Sequence, residues 1–377
     1  MKQQVVSPDR KGYEKHFLLD GLEYSVGVGG IHSVNNPEII KPKEDEIISD
    51  VDVASLYPSL IIQYEFYPPH LGKEFLDVYK RIKDERIEAK HNGNKLKNLT
   101  LKLSINGLSG NLQSPYSFCY SPRTVMQIRI NGQLLLLMLA EKLISIGCKI
   151  IQANTDGLFL ICKKDKYEDY QKACKEWEKL TKLELEEDRF EAMYQYAIND
   201  YIAVKEGYHK TKDKKLIKTK GMFITEVLLG KGLSPKIIPE AIINYFVDNI
   251  PVEETIKDCR DIRKFLKAEK TGKQWTVEYT DQIQQRINRF YVSNNGYYLW
   301  KFKNNSGVKE YQNMLKGYAV TLHNKFYSDE DLQWKYAQGE TFESIYDINY
   351  NYYISQCKKI INEIKPRQLN LFNFDEI

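Results

Sequence analysis

The stretch Asp50-Val51-Asp52-Val53-Ala54-Ser55-Leu56-Tyr57-Pro58-Ser59-Leu60-Ile61-Ile62 decides the reading of this chain. The β-branched run at 46–54, EIISDVDVA, predicts a strand that Pro58 breaks, because proline has no N–H for a ladder. Asp52 then stands at the end of a strand, just before a Ser-Leu-Tyr-Pro-Ser turn. A strand closed by a proline turn accounts for that on its own. A strand-end carboxylate can also hold a divalent cation, with the turn shaping a pocket beside it, and the rest of the chain has to choose.

Outward from that stretch a second acid has the same setting. KIIQA, then Asn154-Thr155-Asp156-Gly157, then LFLIC predicts two apolar strands joined by turn residues. Alone this is ordinary hairpin composition. If the two strands are neighbours, Asp52 and Asp156 converge, and hard cations such as Mg²⁺ take a few carboxylate oxygens together with substrate phosphates. Between the acids lies the charged helix EFLDVYKRIKDERIEAKH, which has Lys83, Arg86 and Lys90 on one face, followed by Lys102 with Asn106 one turn later. By itself that helix is a solvated face, since Asp84, Glu85 and Glu88 are interleaved. Cations facing two acids are what a metal-bound triphosphate requires. Asp50 shares a strand face with Asp52 and reads as a supporting acid or a surface one.

In this order the motifs resemble family B DNA polymerases of the phage and mobile-element kind. Asp52-Val53-Ala54-Ser55-Leu56-Tyr57-Pro58-Ser59 matches the family's D-x-x-S-L-Y-P-S letter for letter. Lys102-Leu103-Ser104-Ile105-Asn106-Gly107-Leu108-Ser109-Gly110 is similar to K-x-x-x-N-S-x-Y-G, and Asn154-Thr155-Asp156-Gly157 to D-T-D-S. GVGGIHS, residues 27–33, resembles a glycine-rich turn ahead of the palm. The resemblance covers about residues 20–225. It implies Asp52 and Asp156 as catalytic, metal-binding carboxylates with the Val53 carbonyl as a further ligand, for two Mg²⁺ ions that Mn²⁺ can replace. It implies Ser55 and Leu56 amides, Arg86, Lys90, Lys102 and Asn106 around a dNTP, with Tyr57 under the deoxyribose to exclude a 2′-hydroxyl. Thr155, Tyr201, Lys218, Lys220 and Gly221 would hold primer–template DNA.

Three departures stand out: Asn154 for the first acid of D-T-D, Ser109 for the motif tyrosine, and Gly157 for serine. They motivate an alternative, an inactive or weak DNA- and clamp-binding subunit of a split polymerase. Against it stands the retention of Asp52 and Asp156; against a reverse transcriptase stand the full SLYPS motif and the Lys102/Asn106 pair. Only about 50 residues precede the Asp52 strand, so no proofreading exonuclease is expected in this chain. A fragment, a split-gene product with the exonuclease on a separate polypeptide, and an enzyme without proofreading all stay open. At the other end Gln368-Leu369-Asn370-Leu371-Phe372 resembles the peptide by which bacterial replication proteins dock on the sliding clamp. Gln368, Leu369, Leu371 and Phe372 would make that contact; the other reading is a terminus folded back on the thumb.

The expected fold class is α+β, a right-hand polymerase. Its palm is an antiparallel sheet with helices, its fingers are short and helical, and a thumb follows. The expected parts are a lead-in and first palm segment at 1–74, fingers at 75–111, a second palm segment at 112–228, the thumb at 229–365 and a tail at 366–377. In the later part the pattern predicts helices over 237–247 and 253–270 and a hairpin over RFYVSNNGYYLWKF. The net charge of +4 is uneven: KEGYHKTKDKKLIKTKG, 205–221, sets seven lysines against two acids, either a solvated loop or a phosphate-binding one. Six scattered cysteines without a C-x-x-C pair and no leader-like N-terminus point to a reducing compartment; the resemblance of the tail to a clamp-binding peptide implies the cytoplasm of a bacterial host cell. The longest apolar run, LLLLMLA, is too short for a membrane span and reads as a buried helix.

Overall fold

The computed structural model describes residues 14–225, 234–303, 309–319 and 327–365. The chain forms two units. The first contains Ile40–Met193, the residues up to Asn36, and Ala203–Ile217; the second contains Pro37–Ile39, Tyr194–Ile202 and the chain from Lys218. The architecture is α+β. Among the described residues no helix is long and apolar enough to cross a membrane, and all six cysteines are free thiols.

The first unit is built on β1 (Glu14–Leu19), β2 (Leu22–Gly27), β3 (Ile31–Ser33), β5 (Glu46–Val53), β6 (Lys149–Asn154) and β7 (Gly157–Lys163), while β4 (Glu38–Ile40), β8 (Leu185–Ala197) and β9 (Asp200–Lys205) each have residues in both units. The sheet runs β1-β2-β3-β6-β7-β5-β8-β9. The registers of β5 against β7 and of β5 against β8 are antiparallel, so the strand carrying Asp52 is central. Five helices belong with it: α1 (Leu56–Gln63), α2 (Glu74–His91), α3 (Lys95–Gln113), α4 (Pro122–Ser145) and α5 (Tyr167–Thr181). A short α6 (Tyr208–Thr211) follows β9.

Helix α4 forms because its apolar residues recur at helical spacing: Ile128, Gly132, Leu136, Leu139 and Leu143 are buried. They pack with Val51 and Val53 of β5, Leu158 and Leu160 of β7, and Trp177 of α5 in one core. The Trp177 indole donates to the Leu135 carbonyl at 3.0 Å, which lets a large ring be buried without an orphaned N–H. Pro58 does not break the strand as expected. The strand has already ended at Val53, and Pro58 lies in the first turn of α1, where its missing N–H costs nothing. Residues 197–204, AINDYIAV, form the end of β8, a turn and most of β9, so the chain makes a hairpin whose first arm begins at Leu185.

The second unit contains β10 (Ile217–Lys220), α7 (Ile237–Asp248), α8 (Val252–Asp258), β11 (Lys267–Lys270), β12 (Trp275–Tyr279), β13 (Gln282–Gln284), β14 (Ile287–Lys303), β15 (Lys309–Ala319), α9 (Asp329–Ala337), α10 (Phe342–Tyr346) and α11 (Tyr350–Ile364). Two expectations fail here. The helix at 253–270 stops at Asp258, and its last residues join a sheet as β11 against β14. RFYVSNNGYYLWKF is not a hairpin but part of one strand with a wide bulge. Val292 and Tyr297 both stand opposite Gly317, so Ser293–Gly296 loop out of the ladder. A Cβ on Gly296 would lie 2.4 Å from the Gly317 carbonyl oxygen, so this crossing needs two glycines. Asp347 holds the bulge, accepting from Asn294 Nδ2 at 3.1 Å and Asn295 N at 3.0 Å.

Candidate active site

A cleft of about 860 Å³ in the first unit lies at the end of β5. Its walls include Asp52, Val53, Ser55, Leu56 and Tyr57 from β5 and the start of α1, Arg86 and Lys90 from α2, Lys102 and Asn106 from α3, and Thr155 and Asp156 from the β6–β7 turn. These eleven residues and Lys83, all singled out in the sequence, thus share one cavity. Of the expected DNA-contacting residues only Thr155 is among them. Tyr201, Lys218, Lys220 and Gly221 belong to the second unit, where the Lys220 ammonium lies 5.9 Å from the Tyr201 ring centre and the Met222 amide donates to Asp200. Gln368, Leu369, Leu371 and Phe372 lie outside the described residues.

Strand pairing brings the two acids together. Asp52 stands opposite Gly157 on β7, and the Val53 amide donates to the Asp156 carbonyl at 2.7 Å. Asp156 is therefore held at the neighbouring strand's end, one interstrand step from β5. A Cβ on Gly157 would lie 1.7 Å from Asp52 Oδ1 and 2.8 Å from its Cγ; the Asp52 carboxylate occupies the space a serine would take. The turns on both sides are held in left-handed backbone: Ser55 has φ 52° and Thr155 φ 38°. For a β-branched residue such as threonine that is a stored cost of the kind found at functional sites.

The opposite wall is cationic. Arg86 Nη1 donates to Ser55 Oγ at 2.9 Å, and its buried Nε has no hydrogen-bond partner. Lys83 donates to Ser59 Oγ at 3.2 Å; burial pushes its ammonium below the usual lysine range, with Asp84 and Glu184 pulling the other way and Arg86 adding to the fall. Lys90 meets Glu186 at 3.8 Å. Glu186 is the cross-strand partner of Asp52 on β8 and was not legible in the sequence, because nothing local relates residue 186 to residue 52. Lys182 and Glu184 also line the cleft without a local signal.

Tyr57 is clamped from two directions. Its hydroxyl donates to the Gly29 carbonyl at 3.1 Å, and a Cβ on Gly132 of α4 would come within 3.6 Å of its ring. Burial raises the phenol above its usual range; Arg129 opposes the rise and Asp156 adds to it. The glycine turn is pinned to α4 in turn: Gln133 exchanges two hydrogen bonds with Gly27, at 2.9 and 3.1 Å, and Arg129 donates to the Val28 carbonyl at 2.9 Å. The Thr155 amide donates to the Ile31 carbonyl at 2.9 Å, so one loop supports both the tyrosine and the acid-bearing turn.

The donor set fits Mg²⁺. Asp52, Asp156 and the Val53 carbonyl offer only oxygen, as hard cations prefer. Among the described residues no group of three or more His, Cys, Asp or Glu could hold a metal. An ion here would complete its shell with water and phosphate.

No protein-family model matches this chain, and no curated protein matches it. Among solved structures it is similar to the family B DNA polymerase from the hyperthermophilic archaeon Pyrobaculum calidifontis, at 13% identity and a TM-score of 0.45. The match covers 91% of this chain and 48% of that one. This chain spans about half the length of that structure. Likeness at this level fixes neither fold nor activity.

Proposed function

We propose that the protein is a template-directed DNA polymerase of the family B type, adding dNTPs to a primer 3′ end. The observation that carries this reading is the convergence in one cleft of two strand-end carboxylates, Asp52 and Asp156, with Arg86, Lys90 and Lys102. In the reaction the primer 3′-oxygen bonds to the dNTP α-phosphorus, the bond to the β-phosphate oxygen breaks, and pyrophosphate leaves. Asp52, Asp156 and the Val53 carbonyl would hold two Mg²⁺ ions, which when bound neutralise the triphosphate and favour the ionised primer oxygen. Arg86, Lys90 and Lys102 share the remaining phosphate charge, with Asn106 beside them. The Ser55 and Leu56 amides stand at the start of α1, where N–H groups lack helical partners. The Tyr57 ring, held through Gly29, would sit under the deoxyribose and leave no room for a 2′-hydroxyl. Rate enhancement comes from positioning and charge placed in advance.

The proposed assignments are a lead-in and first palm segment for residues 1–74, fingers for 75–111, a second palm segment for 112–228 and a thumb for 229–365. Thr155, Tyr201, Lys218, Lys220 and Gly221 would hold the primer–template, and the tail at Gln368, Leu369, Leu371 and Phe372 a bacterial sliding clamp. The test is primer extension on a defined template with dNTPs and Mg²⁺, wild type against Asp156→Ala. Template-directed extension by the wild type that the variant loses is the expected result. No extension by the wild type, with Mn²⁺ and a bacterial clamp also tried, would overturn the reading.

A further inference from the structure

The loop between α3 and α4, residues 114–121, carries the two most exposed large apolar side chains among the described residues. Tyr116 is 98% and Phe118 81% exposed. The loop that presents them is tied down: Ser117 N donates to Ser114 O and Tyr120 N to Ser117 O, both at 3.0 Å, and Ser121 N to Leu112 O at 2.9 Å. His70 Nε2 meets the Phe118 carbonyl at 2.8 Å, and Cys119, the next residue of the loop, is buried. Two aromatic rings held in water by an ordered loop mark a contact surface.

The occupant follows from charge. From Ala89 to Ala140 the chain contains no Asp or Glu, while it contains Lys90, Lys95, Lys97, Lys102, Arg123 and Arg129. Lys97 and Lys90 lean on acids from outside this span, Glu85 and Glu186, and Arg123 is exposed in the first turn of α4, right after the loop. A stretch with no carboxylates of its own, bearing cations and flat exposed rings, suits a strand that is anionic along its backbone and has unstacked bases. A duplex keeps its bases stacked inside and offers the rings nothing; an apolar protein surface would gain nothing from the missing acids.

We infer that Tyr116 and Phe118 form a stacking platform for unpaired bases of a single nucleic-acid strand. The loop leaves α3 at Gln113, seven residues or about 10 Å along the helix from Asn106 in the cleft wall. Resting on the polymerase reading, the strand is the template segment not yet copied, approaching the cleft along α3.

The test is binding, which needs no catalysis. Fluorescence anisotropy would compare wild type, Tyr116→Ala/Phe118→Ala and Tyr116→Trp/Phe118→Trp on single-stranded DNA and on a blunt duplex. The alanine pair should weaken single-strand binding about tenfold or more, leave duplex binding within twofold, and keep the difference at higher salt, because stacking releases no counterions. The tryptophan pair should bind single strands at least as well as wild type. Equal single-strand affinity in wild type and alanine variant, or equal losses on both DNAs, would overturn the inference; the first result would leave the rings as contacts for a protein. Because both rings are exposed, unchanged thermal melting shows that the variants fold. Extension lost with the platform intact would count against the polymerase reading alone, and the converse against the platform alone.

Discussion

At the scale of the residue, Gly157 shows how a departure from a motif can be a structural requirement. In the sequence it is a small replacement for serine; in the fold its missing Cβ is the space the Asp52 carboxylate occupies. Gly157→Ser must push that carboxylate aside, and misplacing a reacting group by about 1 Å can cost about 100-fold. The expected outcome is a drop of that order in primer-extension rate with melting temperature unchanged within a few degrees, measured by single-turnover extension and thermal melting. Full activity in Gly157→Ser would mean that Asp52 works from another rotamer. The positive φ at Ser55 and Thr155 makes the same point: the backbone on either side of the acids is bent into shapes these residue types disfavour, supported by Arg86 at one turn and Ile31 at the other.

At the scale of the element, the β14 bulge is held by one carboxylate. Burial would push the Asp347 carboxyl up, but hydrogen bonds from Asn294, Ser293 and Asn295 outweigh it and hold the group below its ordinary 3.8. A carboxyl whose folded pKa lies below its unfolded one stabilises the fold above the unfolded value, and that stabilisation is lost as pH falls through the folded one. Asp347→Asn should therefore lower the melting temperature at pH 6, and the gap to wild type should narrow as pH falls below about 3.8. Melting curves across pH 3–6 check this, and a gap independent of pH would show that the carboxylate charge does not hold the bulge. The same element marks a limit of pattern reading. NNG between β-rich runs is composition for a tight turn, yet the partner strand continues past it, because Gly296 and Gly317 allow the two backbones to approach too closely for side chains.

At the scale of the whole molecule, charge is the property that reaches a partner first. The segment 209–215 is exposed and rich in lysine, and Lys218 and Lys220 follow it in the second unit. DNA affinity held by such contacts falls steeply with salt, with a slope of about −0.9 in log K per phosphate neutralised on a duplex. Replacing Lys210, Lys212, Lys214 and Lys215 by alanine should weaken duplex binding at low salt and flatten its salt slope by roughly 1 to 4. Anisotropy titrations from 50 to 200 mM salt read both. An unchanged slope would make this stretch a solvated loop, the other reading its sequence allows.

What the amino-acid order determined by itself was local. The strand ending near Asp52, the helices that present Lys83, Arg86, Lys90, Lys102 and Asn106, and the hairpin turn bearing Asp156 follow from side-chain periodicity and turn chemistry, which act over a few residues. Tertiary structure alone decided the rest. Only strand pairing set Gly157 and Glu186 on either side of Asp52, and only the packing of α4 against the glycine turn brought Arg129 and Gln133 to the Val28 and Gly27 carbonyls. These partners are all more than 100 residues apart in the chain, and no periodicity spans that distance. They meet because burying the apolar faces of β5, β7, α4 and α5 in one core leaves a single register in which the polar groups at the strand ends share a cleft.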